Sequence, residues 1–316
     1  MTAALRFEQV SKRFGRRYAL DQCDWVVPEG TCYGLVGHNG AGKTTAMAVT
    51  TGLLRPQQGQ IDLLGVGPFD VARHGGRVAL LPQDALLPSD GNALDVLQFY
   101  ARLQGLTARA ARSQAAELLE RVHLADRARN PLRTLSHGMR KRVMIAQCFL
   151  GQPELVLLDE PLSGLDPYEV AHMRALLKEK GAGITLIISS HNLHELELCC
   201  DYIGFMRNGR CTRSGPLDTI MGNRQAVTYM VDQAPSHEWI ESTAKEGEFT
   251  LRYDAKDNAL ICEYPADAFT PASLNARLLP QLLKAGLGII AIQQGQRLEQ
   301  AYLSGQDNSS AFTSSH

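Results

Sequence analysis

The chain has almost no net charge: 32 Lys and Arg balance 33 Asp and Glu over 316 residues, leaving −1 at neutral pH. That balance removes any global electrostatic case for a nucleic-acid partner. No run of 18 apolar residues occurs, so the sequence offers no membrane-spanning helix. "MTAALRFEQV" lacks the basic stretch and apolar core of a secretory signal, and the expectation is a chain on the cytosolic side. There is no C-x-x-C pair among the seven cysteines, at 23, 32, 148, 199, 200, 211 and 262. Their odd number and apolar settings fit buried, reduced thiols in a cytosolic protein. Adjacent Cys199 and Cys200 admit a metal or redox reading, which that setting outweighs.

What is present suits a globular protein of one large and one smaller domain: 316 residues with 44% hydrophobic content. Strand-like runs "LRFEQV", "WVV" and "TCYGLV" fill the first forty residues. The last of these runs into a glycine-rich loop, and a helix is expected from Thr44. Residues 94–150 carry apolar residues at three- and four-residue spacing and predict helices. "ELVLLDEP" and "ITLIISSH" are near-continuous apolar runs, which suit a parallel sheet covered on both faces. "YIGFMRNGRCTRSG" predicts a hairpin turning at Asn208-Gly209. Beyond residue 224 the order is β-α-β-β-α-β, the pattern of a ferredoxin-like unit, with its second helix expected to bend or break at Pro280. The last dozen residues are polar and expected to be disordered.

Two segments read as phosphate sites. Gly37 to Thr44, "GHNGAGKT", matches G-x-x-x-x-G-K-[ST] in full. Its glycines let backbone N–H groups converge on a triphosphate, Lys43 reaches the β- and γ-phosphates, and the Thr44 hydroxyl is a Mg²⁺ ligand. Such a loop needs a carboxylate at the end of a neighbouring strand, and Asp159 in "LVLLDE" supplies it. Glu160 is a second carboxylate not needed for a metal, placed to polarise an attacking water. His191 ends "ITLIISSH" at the sheet edge where ligands gather, either as a satisfied histidine or as a donor to the γ-phosphate. The other segment is "LSHGMRKR", residues 135–142. Ser136 can cap a helix whose N-terminus, beside Arg140, Lys141 and Arg142, makes a second anion site.

Together these motifs resemble the nucleotide-binding subunits of ABC transporters, over about residues 4–222 and in that family's order. The resemblance makes "GHNGAGKTT" a Walker A, Gln83 a Q-loop, "LSHGM" a signature, "LVLLDE" a Walker B, "SGLD" a D-loop and His191 a switch histidine. It implies a P-loop α/β core with an antiparallel β subdomain and a helical subdomain at about 84–150. A small α+β domain at 225–304 and a tail at 305–316 follow. ATP would be held by Gly37, His38, Asn39, Gly40, Ala41, Gly42, Lys43, Thr44 and Thr45. Mg²⁺ would be held by Thr44, Gln83 and Asp159, with Glu160 and His191 as the catalytic pair. Phe14 falls where the family stacks a ring on adenine; a core phenylalanine is the other reading, and Tyr18 is a nearby competitor. Ser136, His137, Gly138, Met139 and Asp166 would act in trans, covering the ATP of a second copy in a head-to-tail homodimer. The usual signature is "LSGGQ"; His137 and Met139 replace Gly and Gln, while Ser136 and Gly138 are kept. His137 either adds a donor near the phosphate or faces solvent, and Leu162, where Thr is common, concerns packing.

The resemblance further implies a separate transmembrane permease, whose coupling helix would meet residues 83–105, and a location on the cytosolic face of the inner membrane. "RLEQAYLSG", residues 297–305, is similar to the closing segment of exporter-type ATPases and favours export. The alternatives are a soluble ATPase of this type working on DNA or ribosomes, and a nucleotide-gated binding module. The first lacks its coiled coils or second ATPase half, and intact Glu160 and His191 argue against the second.

Overall fold

The computed structural model describes residues 2–179, 183–221, 224–245, 247–255, 257–265 and 267–294. It divides into two compact units, Met1–Pro216 and Leu217–His316. The similarity at 297–305 and the 305–316 tail lie outside the described residues.

The first unit begins with β1 (Ala3–Phe14) and β2 (Arg17–Pro28), a long antiparallel hairpin. β3 (Cys32–Val36) enters the glycine loop and helix α1 (Lys43–Thr50). β4 (Gln58–Leu63), the short helix α2 (Val71–His74) and β5 (Val78–Leu81) follow. Three helices come next: α3 (Ala93–Leu103), α4 (Ala108–Arg121) and α5 (His137–Gln147). β6 (Leu155–Asp159), α6 (Pro167–Lys178), β7 (Thr185–Ser190), α7 (Leu193–Cys199), β8 (Tyr202–Arg207) and β9 (Arg210–Pro216) complete it.

β4 adds to the first hairpin, giving an antiparallel sheet of order β2-β1-β4. The second sheet has the order β5-β6-β7-β3-β8-β9, parallel throughout except for β9. Its inner strands "CYGLV", "LVLLD" and "TLIISS" are buried at every position, as expected of a sheet covered on both faces. One apolar cluster joins the two sheets. In it Phe7 packs edge-on against Trp25 at 5.4 Å, and Trp25 against Tyr33 at 5.9 Å. This core holds the carboxyl ends of β6, β7 and β3 side by side, and the Asp159–Glu160 turn, His191 and the glycine loop leave from there.

The α-helices α3, α4 and α5 each start on a side-chain cap, which the sequence suggests for Ser136. Asn92 accepts from the Asp95 N–H, Thr107 from Ala110 and Ser136 from Met139.

The second unit starts with α8 (Leu217–Met221) and β10 (Arg224–Val231). α9 (His237–Lys245), β11 (Thr250–Asp254), β12 (Ala259–Pro265), α10 (Pro271–Lys284) and β13 (Ile289–Gln294) follow. The antiparallel sheet order β11-β12-β10-β13 is that of a split β-α-β unit. Period-2 residues Val227, Tyr229 and Val231 of β10 and Leu260, Cys262 and Tyr264 of β12 face one core. Leu274, Leu278 and Leu282, four apart on α10, cover it. Of the bend or break expected at Pro280, a break does not occur, because α10 runs through it to Lys284. Burial of that leucine stripe on both sides of the proline outweighs the one backbone hydrogen bond lost.

Candidate active site

The glycine loop joins β3 to α1, and its geometry depends on residues without a Cβ. Gly42 sits at φ +115°, and a Cβ there would lie 2.5 Å from the Ala19 carbonyl oxygen. One on Gly37 would lie 2.5 Å from that of Met206. Gly42 is also the N-cap of α1, and no side chain caps the helix. The first turn therefore presents its N–H groups, and the positive end of its dipole, to the space above the loop. Lys43 is buried there, its Nζ donating to the Gly37 carbonyl at 2.5 Å. Burial lowers its pKa, opposed by the nearby carboxylates of Glu160 and Asp159.

Asp159 ends β6 and is also buried. It accepts from the Thr44 hydroxyl at 2.6 Å and, on its other oxygen, from the Ser189 hydroxyl of β7. Glu160 follows in the left-handed region at φ +50°, an uncommon conformation for a residue with a side chain. Its N–H is held by Ser189, at 3.0 Å to the hydroxyl and 3.2 Å to the carbonyl. The turn leaves the Glu160 carboxylate buried and facing His191, whose Nδ1 lies 3.1 and 3.0 Å from its two oxygens. The His191 ring is itself largely exposed. A buried carboxylate can accept a proton, and an exposed imidazole beside it can orient a group in the cleft.

The glycine loop, Asp159 and Glu160 border a cleft of about 590 Å³, and His191 is not among its lining residues but reaches it through Glu160. Phe14, Gln83, His38, Asn39, Gly40, Gly42, Lys43, Thr44, Thr45, Asp159 and Glu160 line it. Phe14 is 53% exposed, so it is not a core phenylalanine, and Tyr18 is not among the lining residues. Among the described residues, no three His, Cys, Asp or Glu side chains are arranged to hold a metal by themselves. The adjacent oxygens of Thr44 and Asp159 are hard donors that suit Mg²⁺ sharing a site with phosphates.

Ser136, His137, Gly138, Met139 and Asp166 do not line this cleft. Ser136 and His137 are exposed at the N-terminus of α5, and exposed Asp166 caps α6 by accepting from the Glu169 N–H. These two helix starts adjoin. A Cβ on Gly164 would sit 3.2 Å from the His137 ring, and one on Gly138 would sit 3.4 Å from Leu165. His137 thus abuts the loop before α6. The three basic residues after it do not make the anion site their sequence suggests. Arg140 donates to the Leu132 and Arg133 carbonyls, and Arg142 to those of Val122 and His123. Lys141 is buried, its pKa lowered by that burial against the pull of Asp159, Glu160 and Asp84. Leu162 is buried in packing, as expected.

Sequence reading missed Arg17 and Ser189. Arg17 lines the cleft because the turn after Phe14 pairs those two residues across the hairpin, a signal present in "FGRR". Ser189 could have been noticed as the first hydroxyl after the apolar run "LII" of β7.

A glycine loop between a parallel strand and a helix, with a buried carboxylate on a nearby strand end, defines a P-loop nucleotide-binding protein. Residues 20–163 match the family model described as ABC transporter. The Nod factor export ATP-binding protein I of Burkholderia orbicola is 32% identical over 95% of this chain and 96% of its own. The daunorubicin resistance ATP-binding protein DrrA3 of Streptomyces coeruleorubidus is 38% identical over 69% of each. Among solved structures, the dimeric post-hydrolysis state of the ATP-binding cassette MJ0796 bound to ADP and Pi superposes with a TM-score of 0.62. It covers 67% of this chain and 98% of that one at 22% identity, a likeness of fold. The chain belongs to the ABC transporter ATP-binding proteins, a family of ATPases.

Proposed function

We propose that the chain is a Mg²⁺-dependent ATPase that forms a head-to-tail homodimer around two ATP molecules and drives export through a separate transmembrane permease. The observation that carries this reading is the separation, within one chain, of the nucleotide cleft from the exposed start of α5. Ser136 and Gly138 lie at a helix start that does not line the same chain's cleft. A second copy turned through a two-fold axis would bring a phosphate to them, and the Asp166 loop would arrive with it because His137 abuts Gly164.

Lys43 and the α1 N-terminus bind the β- and γ-phosphates, and Thr44, Gln83 and Asp159 are the Mg²⁺ ligands. Mg²⁺ supplies charge neutralisation on the phosphate oxygens. Glu160 accepts the proton of the attacking water, and His191 orients the γ-phosphate. Phe14 stacks on adenine. Its place among the cleft-lining residues, which Tyr18 does not share, supports that role over Tyr18. Phe14→Ala should then weaken ATP binding about 2- to 12-fold, the value of about 0.5–1.5 kcal/mol of ring stacking. Tyr18→Ala should leave it unchanged in the same fluorescence titration.

The names of the two relatives, a drug-resistance and an export ATP-binding protein, support the outward direction. Leu86, 91% exposed, with Phe99 and Leu103 on α3, supports a docking surface for the permease over residues 83–105 on the cytosolic face of the membrane. The test is co-purification: a tagged chain produced with the membrane protein encoded beside it should retain a multi-span partner in detergent. Phe99→Glu should cut that recovery at least about tenfold without changing ATP binding. Recovery of the chain alone from both preparations would overturn the permease assignment.

A further inference from the structure

Three thiols meet at the amino end of β3, and none of them lines the nucleotide cleft. Cys32 opens β3, Cys199 ends α7 and Cys200 follows it. Cys200 Sγ lies 3.8 Å from that of Cys32 and 3.7 Å from that of Cys199. Their exposures are 1%, 2% and 6% for Cys32, Cys199 and Cys200.

The surrounding backbone holds this arrangement. The Cys32 N–H donates to the Asp201 carboxylate at 2.9 Å, and the Asp201 N–H returns a bond to the Cys32 carbonyl at 2.8 Å. Gly34 leaves room for the Cys200 sulfur, which a Cβ there would meet at 3.1 Å.

The three sulfurs are chemically unequal. The S–H groups of Cys200 and Cys32 lower the pKa of Cys199, and Arg174 and Lys178 of α6 act in the same direction, against the opposing effect of burial. Burial pushes Cys200 well up. Elsewhere, burial raises Cys23, Cys148 and Cys262 to about 12 and Cys211 to about 11, so none of these four is poised as a thiolate to attack a peroxide. No step of ATP hydrolysis uses the cluster.

We propose that Cys32, Cys199 and Cys200 form an oxidation-sensitive site in which hydrogen peroxide closes a Cys32–Cys200 disulfide by way of Cys199. The Cys199 thiolate attacks the peroxide oxygen, giving a sulfenic acid and releasing hydroxide. The Cys200 thiol attacks the Cys199 sulfur, forming an S–S bond and releasing water. Cys32 then attacks the Cys200 sulfur, its proton passing to solvent, and the Cys199 thiolate leaves. Two thiols are oxidised and one peroxide is reduced to two waters. α7 is a seven-residue helix, and transient unwinding of its last turn admits a small oxidant. The product staples the end of α7 to β3. Four strand residues, 33–36, lie between that staple and Gly37, a span of about 16 Å, so the nucleotide cleft keeps its shape.

The test treats the reduced full chain with hydrogen peroxide at neutral pH, alkylates it in denaturant and maps its peptides by mass. A cross-linked pair joining Cys32 to Cys200, lighter by two hydrogens and reversed by dithiothreitol, is expected. Cys23, Cys148, Cys211 and Cys262 should be fully alkylated. Cys199→Ser should slow the cross-link about tenfold or more, whereas Cys148→Ser should not. Alkylation of all seven cysteines after oxidation, or a product confined to Cys199 and Cys200, would overturn the proposal. So would a folded Cys199→Ser variant that cross-links at the wild-type rate. The wild-type mapping decides the matter even if that variant fails to fold.

Discussion

Glu160→Gln should bind MgATP with unchanged affinity while losing turnover by about 10²–10⁴-fold, the usual contribution of a positioned general base. The amide has the shape of the carboxylate, so the buried turn at φ +50° and its hold on Ser189 persist. What disappears is an acceptor for the proton of the attacking water. A hydrogen-bond partner for His191, now 3.0 and 3.1 Å from the two carboxylate oxygens, remains in the amide oxygen. With hydrolysis stopped, ATP stays at the proposed dimer interface, and the two-state equilibrium is held on its closed side. Sedimentation of the variant with MgATP should therefore show a dimer where the nucleotide-free chain is a monomer. Turnover surviving the substitution would remove Glu160 from its role. A variant that stays monomeric with MgATP would count against the shared site.

Ser136→Arg should separate binding from hydrolysis in the other direction. Ser136 does not line the cleft of its own chain, so a labelled nucleotide should bind the isolated variant as it binds the wild type. Turnover should fall by about 10²–10⁴-fold, corresponding to two charge-assisted hydrogen bonds of about 1.5–3 kcal/mol each lost from the partner's γ-phosphate. The arginine also fills the space the phosphate would occupy. Ser136 has a structural duty too, accepting from the Met139 N–H at 3.2 Å, and loss of that cap costs about 1 kcal/mol. Ser136→Asn keeps a capping oxygen and controls for this, because its fold and thermal midpoint should match the wild type. Normal hydrolysis by Ser136→Arg would end the head-to-tail reading.

Some of this site could be read directly along the chain. "GHNGAGKT" is contiguous, and its chemistry comes from backbone N–H groups and one lysine within eight residues. The two carboxylates after "LVLL" were equally visible, because a fully buried strand must end where polar side chains resume. The basic run after Ser136 misled, because sequence records charge but not direction. Arg140 and Arg142 follow the cap in order yet turn back to backbone carbonyls of the preceding segments.

The sequence by itself determined the identity of the phosphate loop, the strands that flank it and the β-α-β-β-α-β order of the second unit, because each rests on local spacing and side-chain periodicity. Only the tertiary structure decided that Asp159 meets Thr44, that Phe14 and Arg17 share one wall, and that Cys32 lies against Cys200. Those meetings depend on which strands become neighbours and in what register. Thr44 and Asp159 are 115 residues apart, and Cys32 and Cys200 are 168 apart. Packing of the parallel strands, a collective property of the whole core, brings such residues within a hydrogen bond's length of each other.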